Sequence, residues 1–416
     1  MEFGEDELLP KALLEFPLVA QRTYLDAACI GIASKSTARA VSDFMERVQW
    51  IPAESGTAHH GRLNEARDAA RPRVAKLIGA KPQDIALVES ATHGLSIAAQ
   101  ALPLKPGSLV AMADLEYIQM GVTWSQLARR GIGVRKIPHV AGEISTVTLD
   151  RYLDPDVSVL ALSSVQWTNG FRADLAAISE LCRERKIWFV VDAAQHIGAM
   201  PLDVSETPVD ILVCGGHKWL NSPFGTGFIY LSPEVRDRLC RPISGFFAAQ
   251  PPGDTWGESF LSPDTSPFQD FNYTGDARAW EIGGTSNYPG GIALAAAIDL
   301  ILAIGPTVIA ERITNLTGYL LDGLDRLGLD IVTPRHPRYR SGIVSFTVGA
   351  GCEDVNLMHS LLKADVAVSV RYTAGIGGIR VSSHWFNSFA DIDRLLEAVQ
   401  NFRPMRSGQR RKSPGG

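Results

Sequence analysis

The sequence predicts an α/β protein, with a large domain built on a mostly parallel mixed sheet and a small α+β domain at the C-terminal side. Three observations carry this. Short runs that are apolar throughout recur across the middle of the chain, separated by amphipathic stretches. That is how strands read when both of their faces lie under helices. From about residue 244 the pattern breaks into a Pro-, Gly- and aromatic-rich stretch. Beyond residue 306 strands and helices return in a shorter, mixed arrangement.

In order, residues 109–113 (Leu-Val-Ala-Met-Ala) form a buried strand, 116–130 carry helical spacing and 133–137 are a strand again. Residues 157–162 are a strand, 174–186 a helix and 187–191 a strand; 211–214 and 226–231 complete the set. Such βα units cross over right-handed and present ligands at the carboxyl ends of their strands. The stretch 244–285 lacks periodicity, and a loop that long inside a compact domain tends to be functional. Helices follow at 291–304 and 308–327, then strands at 342–348, 367–371 and 378–382, with helices at 355–363 and 390–402. The division expected is an N-terminal segment (1–25) packing with the small domain, a large domain (26–305), a small domain (306–403) and a disordered tail (404–416).

Composition excludes several classes. The 416 residues are 45% hydrophobic and 20% charged, with a net charge of −5. This mild, mixed surface gives no reason to expect nucleic acid or an anionic membrane as partner. The five cysteines are odd in number and scattered without a C-x-x-C spacing, which argues against a disulfide framework or a zinc site. The acidic start and the lack of a long apolar run lead to the expectation of a cytoplasmic protein.

The chemistry concentrates at two strand ends. Residues 187–192 (Ile-Trp-Phe-Val-Val-Asp) read as a central strand with Asp192 at its carboxyl end. A buried carboxylate is costly unless it meets a cation or strong donors. Residues 210–218 form a second buried strand ending in His217 and Lys218. Desolvation lowers the pKa of a lysine, and a neutral amine is what Schiff-base chemistry needs. A structural ion pair between the two is the plain alternative. Thr92, in Glu89-Ser90-Ala91-Thr92-His93-Gly94, stands at an expected helix N-cap, and such helix starts bind phosphate well. Gly283-Gly284-Thr285-Ser286-Asn287 also leads into a helix.

Together these motifs resemble the cysteine desulfurase and isopenicillin-N-epimerase branch of the class V aminotransferases, within the fold-type I pyridoxal-phosphate enzymes. The resemblance rests on Val191-Asp192-Ala193-Ala194-Gln195-His196, on Gly216-His217-Lys218-Trp219 and on Pro223-Phe224-Gly225-Thr226-Gly227-Phe228. Tyr24-Leu25-Asp26-Ala27-Ala28 and Gly284-Thr285-Ser286-Asn287 add to it, and the likeness runs from about residue 24 to 402. It implies pyridoxal 5'-phosphate as cofactor, held on Lys218 as a Schiff base, with Lys218 later moving the Cα proton. It further implies that Asp192 keeps the pyridine nitrogen protonated, so that the ring acts as an electron sink. Gln195 would bond the phenolic oxygen, while Thr92, the neighbouring amides including that of His93, and His217 would hold the phosphate. Thr285 would reach the phosphate of a partner subunit, implying a homodimer with shared active sites. Arg380 matches the arginine that grips the substrate carboxylate through its planar fork, and Arg371 a second arginine nearby.

Three departures bear on the reaction. The stretch between Arg371 and Arg380 is short, glycine-rich and has no cysteine where desulfurases carry their nucleophile. Tyr117 takes the place of the ring-stacking histidine, keeping an aromatic face but changing the acid–base options. Gln166 stands where an asparagine commonly faces the cofactor, and Gly215 replaces a phosphate-binding serine. The expected activity is a lyase or aminotransferase-type reaction at Cα or Cβ of an amino-acid-like substrate: C–S β-elimination, deamination or amino transfer, or decarboxylative deamination, in specialised biosynthesis. Epimerisation of a peptide-like substrate is one alternative, and a non-catalytic binding protein on the same fold another. A nicotinamide-binding reading lacks its G-x-G-x-x-G after the first strand; Gly375-Ile376-Gly377-Gly378 does not precede a helix.

Overall fold

The structure is a computed structural model that describes residues 5–349 and 351–402; the tail expected at 404–416 lies outside the described residues. Thirteen strands are present among these: β1 (Thr23–Tyr24), β2 (Ile85–Val88), β3 (Leu109–Ala113), β4 (Gly133–Ile137), β5 (Val157–Ser163), β6 (Trp188–Asp192), β7 (Ile211–Gly215), β8 (Gly227–Leu231), β9 (Asp330–Ile331), β10 (Ile343–Thr347), β11 (Val366–Ala367), β12 (Ser369–Thr373) and β13 (Ile376–Ser382). The seven-stranded sheet runs β2-β8-β7-β6-β5-β3-β4, and only β8 is antiparallel to its neighbours. Every residue of β2, β7 and β8 is buried, because apolar cores lie on both faces of the sheet. The doubly covered parallel sheet expected from the apolar runs is therefore the one observed.

Sequence periodicity missed β2, whose four residues are too few to register, and the three helices Lys35–Trp50, Gly56–Asp68 and Ala70–Ile78. It also overextended one helix. Residues 118–125 are α-helical and 126–130 a 3-10 turn, so Glu116 and Tyr117 precede the helix, with Tyr117 as its N-cap residue. The helix after β2 begins at Ala91, so Ser90 is the N-cap, its Oγ accepting from His93 N at 3.1 Å. Thr92 lies inside the first turn, a correction to its expected capping role.

At the C-terminal side the order β12-β13-β10-β9 makes a four-stranded antiparallel sheet. A third apolar core joins it to the helices Pro306–Arg326, Cys352–Lys363 and Phe389–Asn401, and Leu25 from the N-terminal segment belongs to that core. β1 pairs in parallel with β11, and the chain just beyond it meets β13 through a parallel bridge between Asp26 and Ser382. A bend of 77° separates the helices Tyr288–Ile304 and Pro306–Arg326. Among the described residues no single helix is long and apolar enough to cross a membrane.

Candidate active site

The carboxyl ends of β6 and β7 open into a cavity of about 270 Å³. Asp192, the last residue of β6, lies opposite Ser163 of β5 and Val213 of β7. Its Oδ1 accepts from Ala194 N at 2.9 Å. Burial raises its pKa above the ordinary carboxylate value, against the Ala194 amide and the charge of Lys218, which both lower it. Lys218 follows β7 on a compact loop tied by Gly216 N to Thr226 O at 2.8 Å and Asn221 N to Lys218 O at 3.1 Å. Burial lowers the pKa of its amine, and Asp192 partly restores it. Both groups are thus pushed towards their neutral forms, the expected response of an acid and a base held away from water.

Gln195 reaches the same cavity, and its amide is held at both ends. Its Oε1 accepts from Trp219 Nε1 at 2.7 Å and its Nε2 donates to Ala28 O at 2.9 Å. This fixes which end of the amide is the donor and leaves the second Nε2 hydrogen for a ligand. His217 stacks on Phe224 with ring centroids 5.0 Å apart, and burial followed by the nearby Lys218 lowers its pKa to about 4, so it is neutral at pH 7. The tight packing of the helix Ala91–Ala101 on β7 depends on Gly94, where a Cβ would sit 2.6 Å from Val213 Cγ1. That packing brings the unpaired first-turn amides to the cavity. A Cβ on Gly215 would lie 3.4 Å from His217 Nδ1 and 3.5 Å from Ala91 N. Gly215 thus stands beside an imidazole and a helix N-terminus, and these two groups make a cradle that suits a phosphate oxygen. Amine, buried acid, oriented amide and anion cradle together fit pyridoxal phosphate.

The other end of the cavity is built from distant parts of the chain. Arg380, on β13, is 2% exposed; its Nη1 donates to Trp167 O at 2.9 Å and its Nη2 pairs with Asp26 at 3.3 Å. Arg371, on β12, donates from Nη1 to its neighbour's carbonyl at Val370 (2.8 Å) and approaches Cys29 Sγ with Nη2 at 3.7 Å. Tyr117 stands between the two ends. Its ring centroid lies 5.7 Å from Lys218 Nζ, and Trp167 meets it edge-on at 5.2 Å.

Of the expected site residues, Lys218, Asp192, Tyr117, Gln195, His217, Thr92, Arg371 and Arg380 line this cavity. Three do not. Gln166 is buried behind the wall, donating to Glu116 Oε1 at 2.9 Å, and its neighbour Trp167 occupies the lining position. His93 turns back to accept from Glu89 N at 3.3 Å, and Thr285 lies exposed on a turn elsewhere.

Sequence reasoning also missed two residues. Cys29 lines the cavity because the chain beyond it lies hard against the lysine loop: Gly31 N donates to His217 O at 2.8 Å, and a Cβ on Gly31 would sit 1.8 Å from Lys218 O. Glu116 is buried. It accepts from Ser163 N at 2.8 Å, from Ser163 Oγ and from Gln166, yet burial still raises its pKa to about 7, with Asp192 adding to the rise. The signal for it was the acid preceding Tyr117 at the end of an apolar strand.

A doubly covered sheet with a buried lysine–aspartate pair at the carboxyl ends of adjacent parallel strands and a phosphate cradle beside it defines a fold-type I pyridoxal-phosphate enzyme. The aminotransferase class-V family model matches residues 23–395, so the chain belongs to that family of pyridoxal-phosphate enzymes. It is 29% identical to isopenicillin N epimerase of Streptomyces clavuligerus over 79% of this chain and 83% of the relative. It is 25% identical to a probable cysteine desulfurase of Methanothermobacter thermautotrophicus over 94% and 97% of the two chains. Among solved structures, the fold matches the cystine C–S lyase C-DES in complex with cysteine persulfide, with a TM-score of 0.84, 23% identity and coverage of 94% and 100%. It also matches the apo cysteine desulfurase of Thermococcus onnurineus, with a TM-score of 0.82, 22% identity and coverage of 96% and 98%.

Proposed function

We propose that this enzyme removes the Cα proton of an amino-acid-like substrate and that loss of a β-sulfur or amino group follows. The observation that carries the reading is the juxtaposition in one cavity of Lys218 and Asp192 at one end with Arg371 and Arg380 at the other. Bound there, pyridoxal phosphate supplies the electron sink for charge developing at Cα. Lys218, already disposed to be neutral by burial, holds the cofactor and then carries the proton to and from Cα. Asp192 pairs with the ring nitrogen, Gln195 with the phenolic oxygen, and His217 with the Ala91 and Thr92 amides receives the phosphate. The guanidinium groups hold the substrate carboxylate. Because they stabilise its charge, they oppose departure of CO₂ and favour breaking the Cα–H bond. β12 and β13 are joined only by Ala374 and Gly375, which supports a reaction without a nucleophilic cysteine on that connection.

A second reading, epimerisation, is favoured by Tyr117, whose phenol is a second proton carrier in the same cavity as Lys218. The 29% identity to isopenicillin N epimerase supports it as well. We further propose a cytoplasmic homodimer in which the exposed Thr285 turn serves the partner's phosphate. The test is incubation with S-substituted cysteines and plain amino acids, scored for pyruvate and ammonia, for keto acid and for deuterium exchange at Cα. Pyruvate from the cysteine conjugates is expected; exchange with inversion and no release selects epimerisation. Borohydride is expected to fix the cofactor on the peptide containing Lys218, and a protein that cannot be loaded overturns both readings.

A further inference from the structure

We infer that Asp26 sets substrate specificity: by pairing with Arg380 it leaves the substrate end of the cavity with one uncompensated cation, the guanidinium of Arg371, and so selects an amino acid with a single carboxylate and a neutral side chain. The inference rests on the proposed reading of the cavity as an amino-acid site and deepens it.

The charges divide cleanly between the two ends. At the cofactor end Lys218 and Asp192 oppose each other. At the substrate end there are two guanidinium groups and one acid. Asp26 lies behind Arg380, 15% exposed, with Oδ1 3.3 Å from Arg380 Nη2 and Oδ2 accepting from Ser369 Oγ at 2.5 Å. Ser369 pairs with Arg380 across β12 and β13, so the acid, the hydroxyl and the guanidinium are fixed by one strand register. Arg371 has no such partner. Its two contacts are a carbonyl and a thiol sulfur, and no carboxylate among the described residues lies within ion-pair distance of it. The nearby walls are uncharged: Tyr117, Trp167 and Cys29. A half-buried cation without a counter-ion attracts one anion, whereas a second anion brought into the same space meets no cation to spare.

The test compares ligands of one length on the cofactor-loaded enzyme by calorimetry: valerate, with one carboxylate, and glutarate, with two. Valerate is expected to bind at least tenfold more tightly. Asp26→Asn, which keeps the shape but removes the charge, is expected to tighten glutarate at least fivefold. Arg371→Gln is expected to weaken valerate at least tenfold. Glutarate binding to the unaltered enzyme as tightly as valerate overturns the inference, and needs no variant to fold. So does an Asp26→Asn protein with an unchanged ratio. Where Lys218 still captures the cofactor under borohydride but the preference is missing, only this inference fails; where Lys218 captures none, the reading of the cavity fails with it.

Discussion

The cofactor end of the cavity and its substrate end differ in how the chain builds them. Asp192, Gln195, His217 and Lys218 come from the ends of two adjacent parallel strands within one stretch of sequence, and the backbone or a neighbouring indole holds most of them. The substrate end joins Asp26 and Cys29 near the N-terminus, Trp167 in the middle, and Arg371 and Arg380 near the C-terminus. A cofactor that never changes is served by rigid strand tips, whereas selectivity towards a variable substrate is carried by side chains that meet only through tertiary contacts.

The sharpest way to break this division is at its rigid end. Lys218→Ala is expected to abolish the visible absorbance of the Schiff base and to lower turnover by roughly 10²–10⁴-fold, the range for losing a positioned proton carrier. Absorbance spectra and steady-state rates check this, and turnover within tenfold of the parent enzyme removes Lys218 from the chemistry.

Asp192→Asn separates stability from function. Its folded-state pKa is raised by burial, so ionisation disfavours the fold: stability falls as pH rises from the unfolded towards the folded pKa, and the cost persists above both. Asparagine keeps an oxygen for the Ala194 amide and removes the charge. The cofactor-free variant is therefore expected to be more stable at pH 8, while its cofactor binds less tightly and its turnover drops. Chemical denaturation and cofactor titration together decide it.

Glu116 extends the same reasoning behind the wall. Its pKa rises from 4.5 to about 7, so the parent protein loses stability between these two values as pH increases. Glu116→Gln is expected to flatten that dependence, with a difference on the order of 1–3 kcal/mol by pH 8. Parallel denaturation curves of the two proteins from pH 4 to pH 8 would contradict the buried-acid account.

How much of this was legible in the sequence follows the same line. Asp192 and Lys218 announced themselves because each is a charge ending an apolar run, and burial makes such a charge expensive. Arg380 was identified by its motif, but its pairing with Asp26 was not, since no periodicity connects residues 354 positions apart. Cys29 looked like one of several scattered thiols, and only the close packing of Gly31 on the lysine loop explains its place in the cavity. Gln166 was expected to face the cofactor and instead turns to Glu116, because neighbours on an irregular segment after β5 point to different sides and Trp167 takes the position facing the cavity.

The smallest expected effect probes the cradle at Gly215. A side chain there meets His217 Nδ1 and Ala91 N at 3.4 and 3.5 Å, ordinary contact distances, and the backbone is not in the left-handed region. Serine is thus accommodated without displacing either group, and its hydroxyl adds one donor towards a bound phosphate. Gly215→Ser is expected to tighten cofactor binding about fivefold, the worth of one hydrogen bond of about 1 kcal/mol, with the carboxylate preference at the substrate end unchanged. Weaker binding would mean that the cofactor fills the space the glycine leaves open, and the phosphate would then sit closer to β7 than the cradle of His217 and the helix start implies.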